Sequence, residues 1–188
     1  MTTEAQFVSL IQQAVLESPF AVAAVVFGAR WLIFAFAAIA AGFLLIPQKT
    51  YRHGAIEIGW SLLTALALTA FIAAFVLRGR PVQLPFDAAY PIRSLIPKPL
   101  TSAFPSGHTA TAIAMACAVF FTNRKLGLIA LLLAVLVAVS RIAAGVHYPT
   151  DVLGGIAVGV ASFAFVRFGH EQLRTRDIER AARRNTHA

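Results

Sequence analysis

The chain has 188 residues, of which 59% are hydrophobic and only 13% charged, with a mean hydropathy of +0.75. Soluble domains carry about 25% charged residues, so this composition excludes an ordinary soluble fold and points to one integral membrane domain. The net charge of +8 does not mark a nucleic-acid binder, because the aromatics lie inside apolar blocks and the basic residues lie in loops and tail.

In chain order, residues 4–17 set Phe7, Val8, Leu10, Ile11, Val15 and Leu16 among polar residues. This pattern predicts an amphipathic helix, either at the bilayer surface or packed on a bundle. The start lacks a basic stretch and a nearby cleavage site, so no removable signal peptide is expected. Five segments then read as membrane spans, at about 20 residues per crossing. They cover residues 19–46 (softly broken at Arg30), 55–77, 107–121, 126–144 and 150–168. Residues 79–105 hold six prolines, which predicts a long loop without extended helix. The expected fold is therefore all-α: a polytopic transmembrane helix bundle of about five spans plus an N-terminal amphipathic helix. It forms one domain over 1–188, with an interfacial helix at 1–18 and a charged cytoplasmic tail at 169–188. Cys117 is the only cysteine, so no intrachain disulfide can form.

Alternating spans divide the loops between two faces. Ten of the Lys and Arg residues fall on the face of loops 47–54 and 122–125 and the tail; six fall on the other. The positive-inside rule makes the first face cytoplasmic.

Three motifs meet on the opposite face: Arg78-Gly79-Arg80-Pro81, Pro105-Ser106-Gly107-His108, and Ser140-Arg141 followed by His147 and Asp151. Ionisable groups near a bilayer core usually face a cavity with partners. Ser106-Gly107 at a helix start offers free N–H groups and close backbone approach to an anion; a simple Ser cap is the bland alternative. Arg80 and Arg141 can each grip phosphate oxygens with a planar fork. Asp151, four residues after His147, can hold one ring nitrogen and leave the other as nucleophile or base. A structural His–Asp bond is the competing reading. Two histidines and a carboxylate could ligate a metal, but two arginines in the same pocket would repel it, so no metal or cofactor is expected. Together these groups read as phosphoryl chemistry.

With these motifs the chain resembles the type 2 phosphatidic acid phosphatase superfamily of membrane lipid phosphatases. Its signature is Lys-x6-Arg-Pro, Pro-Ser-Gly-His and Ser-Arg-x5-His-x3-Asp, and the resemblance covers roughly residues 55–168. It implies that His147 is the nucleophile that becomes phosphohistidine, that Asp151 orients it, and that His108 protonates the leaving group. Arg80, Ser106, Gly107 and Arg141 would bind the phosphate, without metal. One position departs: the signature's Lys falls on Ala73, and Arg78 or Lys98 could supply the missing charge. The short chain, amphipathic helix and five spans look most like the bacterial undecaprenyl-diphosphate phosphatase branch. That implies a plasma-membrane enzyme of cell-wall lipid recycling with its site facing outward. Phosphatidic acid, phosphatidylglycerol phosphate and lipid A phosphatases share the signature. A phosphotransferase and an inactive lipid-binding relative are the alternatives. The expected partners are a lipid phosphate and membrane lipids, with no nucleic acid and the oligomeric state open.

Elsewhere, His53 and Glu57 stand four apart and could pair, while His170 and His187 are expected to be solvated. Phe86, Tyr90, Ile92, Leu95 and Ile96 are expected to rest on the bilayer or cover the pocket. Gly154, Gly155 and Gly159 provide small-residue spacing for close helix packing.

Overall fold

The computed structural model describes residues 3–83, 91–97 and 101–185. Seven α-helices are present among them: α1 (Thr3–Leu16), α2 (Pro19–Arg30), α3 (Phe34–Leu45), α4 (Lys49–Phe75), α5 (Gly107–Thr122), α6 (Arg124–Ala143) and α7 (Pro149–Asn185). Three helices are long and apolar enough to cross a membrane: α4, α6 and Pro149–Leu173 of α7. The α2–α3 pair meets the same test as a span bent by 52°, and α5 is a shorter apolar helix. The five expected segments are thus all helical.

Local chemistry accounts for the boundaries. Ser18 caps α2 by accepting from the Ala21 N–H, with Pro19 at the first helical position. Asn123 ends α5 and caps α6 by accepting from Leu126 N–H at 3.1 Å. Pro149 opens α7, which continues unbroken through the polar tail to Asn185. Gly145 closes the turn after α6 with φ of +74°, a conformation that favours glycine. A Cβ there would lie 2.5 Å from the Arg93 carbonyl oxygen.

The soft break expected at Arg30 is a real one. After Arg30 the helix ends on a wide turn, with Leu32 N–H donating to the Phe27 carbonyl at 3.1 Å. The Ala29 carbonyl there accepts instead from Arg141 Nη1 of α6 at 2.9 Å. A side chain entering the hydrogen-bond ladder is a recognised origin of a kink.

α5 is the central post. Its alternating alanines 110, 112, 114, 116 and 118 are fully buried, and α4, α6 and α7 pack around it. Small side chains let these backbones approach closely, where dispersion rather than water expulsion holds helices together. Gly155 and Gly159 of α7 face Ser106–Ala110 and Ile113 of α5, while Gly154 faces the Phe104 ring. These glycines thus serve the bundle's interior.

The N-terminal helix buries a mixed face of small, apolar and polar residues. Ala5, Val8, Ser9 and Gln12 face inward, while Phe7 and Leu10 are exposed. Gln12 is wholly buried and acts like a piece of backbone. Its Nε2 donates to the Arg93 and Ala143 carbonyls, at 2.7 and 3.2 Å, and its Oε1 accepts from Arg93 N–H at 2.6 Å.

Three expectations need correction. His53 does not pair with Glu57: its Nδ1 lies 2.7 Å from the Lys49 carbonyl. Glu57, buried against α7, pairs with Arg167 at 3.2 Å and lies 3.4 Å from His170, which is therefore not freely solvated. The long α4 and α7 cross here, and the buried carboxylate takes partners from the helix that covers it. Leu95 and Ile96 pack against Ala29, Ala144 and Val146 instead of resting on the bilayer. Phe86, Tyr90 and Lys98 lie outside the described residues, and His187 does too.

Candidate functional site

The three motifs converge at the end of the bundle formed by the start of α5, the end of α6, the start of α7 and the loop after α4. The backbone ties them together. Ser106 N–H donates to the Asp151 carbonyl at 2.9 Å, and Ala103 N–H donates to the Arg78 carbonyl at 2.9 Å. Arg80 begins a short 3₁₀ turn, Pro81–Gln83, whose Gln83 Oε1 accepts from Arg80 N–H at 2.7 Å.

Arg80 is 2% exposed and Arg141 3%; no bilayer-surface anchor would be so enclosed. Arg80 Nη1 donates to the Val146 carbonyl at 2.9 Å and lies 3.1 Å from His147 Nε2. Its Nη2 reaches the Ser102 carbonyl at 3.0 Å and the Thr101 carbonyl at 3.3 Å. Burial lowers the proton affinity of this guanidinium, and the Asp151 charge works in the other direction. The Nε atoms of both Arg80 and Arg141 are buried without an acceptor among the described residues.

His147 lies in the turn between α6 and α7 and is nearly sealed from solvent. Its Nδ1 is 2.8 Å from the Ala103 carbonyl and 3.6 Å from Asp151 Oδ2. A carbonyl accepts only, so Nδ1 carries the proton and Nε2 accepts from Arg80. Ala103 therefore holds the tautomer by a direct hydrogen bond, which had been expected of Asp151. Asp151 contributes at ion-pair range because Tyr148 N–H occupies Oδ2 at 2.7 Å. Burial holds the His147 pKa below its usual 6.5, and the charges of Arg141 and Arg80 push the same way; Asp151 opposes both.

Ser106 and Gly107 start α5, and among the described residues no side chain caps this helix end, so its first N–H groups are left for another acceptor. The Ser106 hydroxyl is fully buried, 3.0 Å from Thr109 Oγ1. A Cβ on Gly107 would find only Thr69 Cγ2, at 3.4 Å, so the backbone is open to close approach. His108, in the first turn, is half-buried and within electrostatic reach of Arg141, His147 and Arg80.

Arg78 is engaged by two carboxylates. Its guanidinium binds Asp151 Oδ1 at 2.8 Å and Glu4 Oε2 at 2.7 Å, and it stacks on Tyr148. Ala73 lies on the last turns of α4. The roles of Ala103, Gln83 and the carbonyls of Val146 and Ser102 were invisible in the sequence, because backbone acceptors have no residue signature. Glu4 carried no signal either: an acidic residue on a helix start reads as ordinary dipole compensation.

Fold and site together define a helical, multi-pass membrane protein with a cluster of two buried arginines and two histidines at one end of its bundle. The chain belongs to the PAP2 superfamily, whose family model matches residues 54–174. It is 33% identical over 144 residues to the undecaprenyl-diphosphatase BcrC of Bacillus subtilis, covering 76% of this chain and 72% of that protein. It is 37% identical over 118 residues to an undecaprenyl-diphosphatase of Sulfolobus acidocaldarius, covering 62% of this chain and 54%, about half, of that relative. Among solved structures it is similar to a transmembrane PAP2-type phosphatidylglycerolphosphate phosphatase from Bacillus subtilis. That match has a TM-score of 0.63 and 26% identity, over 91% of this chain and 88% of the other.

Proposed function

We propose that the protein is a membrane lipid phosphatase that hydrolyses undecaprenyl diphosphate through a phosphohistidine at His147. One observation carries the reading: among the described residues two buried guanidinium groups, Arg80 and Arg141, each have an Nε–H without an acceptor, and Arg80 lies beside the unprotonated Nε2 of His147. Unpaired buried donors are costly, and a phosphate oxygen is the acceptor that would satisfy both. The undecaprenyl preference is supported by the names of the two relatives.

In this mechanism Nε2 of His147 attacks phosphorus while Nδ1–H stays on the Ala103 carbonyl, with the Asp151 charge nearby to stabilise the imidazolium that forms. The bond from phosphorus to the leaving oxygen breaks, and His108 in its protonated form supplies that oxygen with a proton. Arg80, Arg141 and the first N–H groups of α5, with Ser106, hold the three equatorial oxygens. His108, now neutral, takes a proton from water, which attacks phosphorus and releases inorganic phosphate and free His147. The pocket end faces outward in the bacterial plasma membrane, a reading supported by the excess of Lys and Arg on the other face. The whole chain acts as one domain.

The test is phosphate release by detergent-purified protein from undecaprenyl diphosphate, phosphatidic acid and phosphatidylglycerol phosphate, with chelator present. The expected result is fastest release from undecaprenyl diphosphate and none from His147→Ala, which still binds lipid. Near-full activity in His147→Ala would refute the mechanism. A faster rate on another lipid would refute the substrate.

A further inference from the structure

Asp151 is a carboxylate with no exposure at all, so its position depends on the few groups that bond it. His147 is not one of them, at 3.6 Å. Oδ2 is held by Tyr148 N–H, and Oδ1 by Arg78 Nη1 at 2.8 Å. Arg78 is itself held from three sides. Nη1 also donates to Thr150 Oγ1 at 2.6 Å, Nη2 donates to Glu4 at 2.7 Å, and the guanidinium lies 4.6 Å from the Tyr148 ring centre. The second oxygen of Glu4 accepts from Thr150 N–H at 3.0 Å and from its hydroxyl at 2.8 Å. Glu4 thus reaches from α1 to the first turn of α7, where free N–H groups and the positive dipole end favour an anion. The buried Gln12 fixes α1 against residues 93 and 143 at its other end.

We propose that Arg78 and Glu4 are positioning residues for the reaction, holding Asp151 in register with His147, so that helix α1 is a working part of the active site. The inference rests on the phosphatase reading above. It also gives Arg78 a role different from that of the absent signature lysine at Ala73: both ends of its fork are committed to carboxylates, so it is a brace and not a phosphate ligand. A loosened Asp151 would leave substrate binding intact but shift the charge that faces the His147 ring at 3.6 Å and stabilises the imidazolium formed there, which affects kcat before KM.

The experiment uses the full chain in detergent, comparing Arg78→Gln, Arg78→Lys, Glu4→Gln and Arg80→Gln. It reads kcat, KM for the lipid and the inhibition constant of inorganic phosphate. Displacing a reacting group by about 1 Å costs on the order of 100-fold. Arg78→Gln should therefore lower kcat by about 10- to 100-fold. Glu4→Gln, which removes charge but keeps the side chain's length, should show a smaller drop. Arg78→Lys should recover part of the loss. Phosphate inhibition should hold in all three and weaken only in Arg80→Gln. Ring-nitrogen NMR of histidine-labelled protein, with His147 assigned from a His147→Gln spectrum, gives an independent reading. Wild type should show one Nδ1–H tautomer, kept by Ala103 in every variant, with the His147 ring-nitrogen shifts displaced in Arg78→Gln and Glu4→Gln as the facing Asp151 charge moves.

Weakened phosphate inhibition in Arg78→Gln matching that of Arg80→Gln would overturn the proposal by making Arg78 a ligand. Wild-type kcat in Glu4→Gln, or undisturbed His147 signals in both variants, would overturn it as well. If Arg78→Gln does not fold, Glu4→Gln and Arg78→Lys decide. If the wild type releases no phosphate, the phosphatase reading fails and the NMR comparison still decides the positioning claim.

Discussion

Gly155→Ala is the sharpest perturbation the packing offers. The added Cβ would sit 2.7 Å from the Ser106 carbonyl oxygen and 2.9 Å from Thr109 Cβ. Ordinary contact begins near 3.4 Å, so α5 and α7 must separate by about half an ångström or more. The Ser106 carbonyl cannot swing aside cheaply, because it accepts from Ala110 N–H at 2.9 Å, and Ser106 N–H is bonded to the Asp151 carbonyl. The strain is therefore passed to Ser106, Gly107 and His108. Overpacking of this kind costs about 1–3 kcal/mol, and a shift of half an ångström in the groups proposed to bind phosphate should lower kcat by about tenfold. Gly59→Ala on α4 is the control, since a Cβ there meets nothing within 4 Å. Thermal unfolding in detergent and phosphate release on the same samples measure both effects. Gly155→Ala with the Tm and kcat of Gly59→Ala would refute the claim that α7 sets the position of the α5 start.

Arg141→Lys should behave nearly as badly as Arg141→Ala, with a loss of about 100-fold in kcat/KM. An ammonium cannot bond the Ala29 carbonyl and at the same time present the Nε–H that lacks an acceptor among the described residues; steady-state kinetics on the two variants checks this. Gln12→Ala should destabilise the protein by about 1–3 kcal/mol, because it leaves Arg93 N–H and two carbonyls unsatisfied; denaturation in detergent measures it. The pH profile follows from His147. Its folded pKa lies below the usual 6.5 because of burial and the neighbouring arginines, and the attack proposed for it needs the neutral ring. The acid limb of kcat/KM should therefore fall below pH 6.5 and move upward in Arg80→Gln. The same shift makes a stability contribution that is present above about pH 6.5 and is lost as pH falls from there toward the folded value, since the unfolded chain takes the proton first.

The apolar blocks determined the membrane class and the helical segments by themselves, because a bilayer accepts only backbones that satisfy their own hydrogen bonds. The spacing of Arg80, Ser106, Gly107, His108, Arg141, His147 and Asp151 also marked them as one site, since alternating crossings bring the ends of successive helices to one face. What the linear order could not show was which atom each side chain spends on which partner. Arg78 and Arg80 are two residues apart, and the sequence offers no reason for one to brace Asp151 while the other meets His147. The difference arises from the turn at Pro81–Gln83 and from Glu4, which is 74 residues away. The pairing of His53 with Glu57 failed for the same reason: Glu57 found Arg167, 110 residues on, once α7 lay across α4. Residue types and helical periods are local and can be read directly. The partners of buried charges are decided only when distant helices exclude water and leave each charge the neighbours that packing provides.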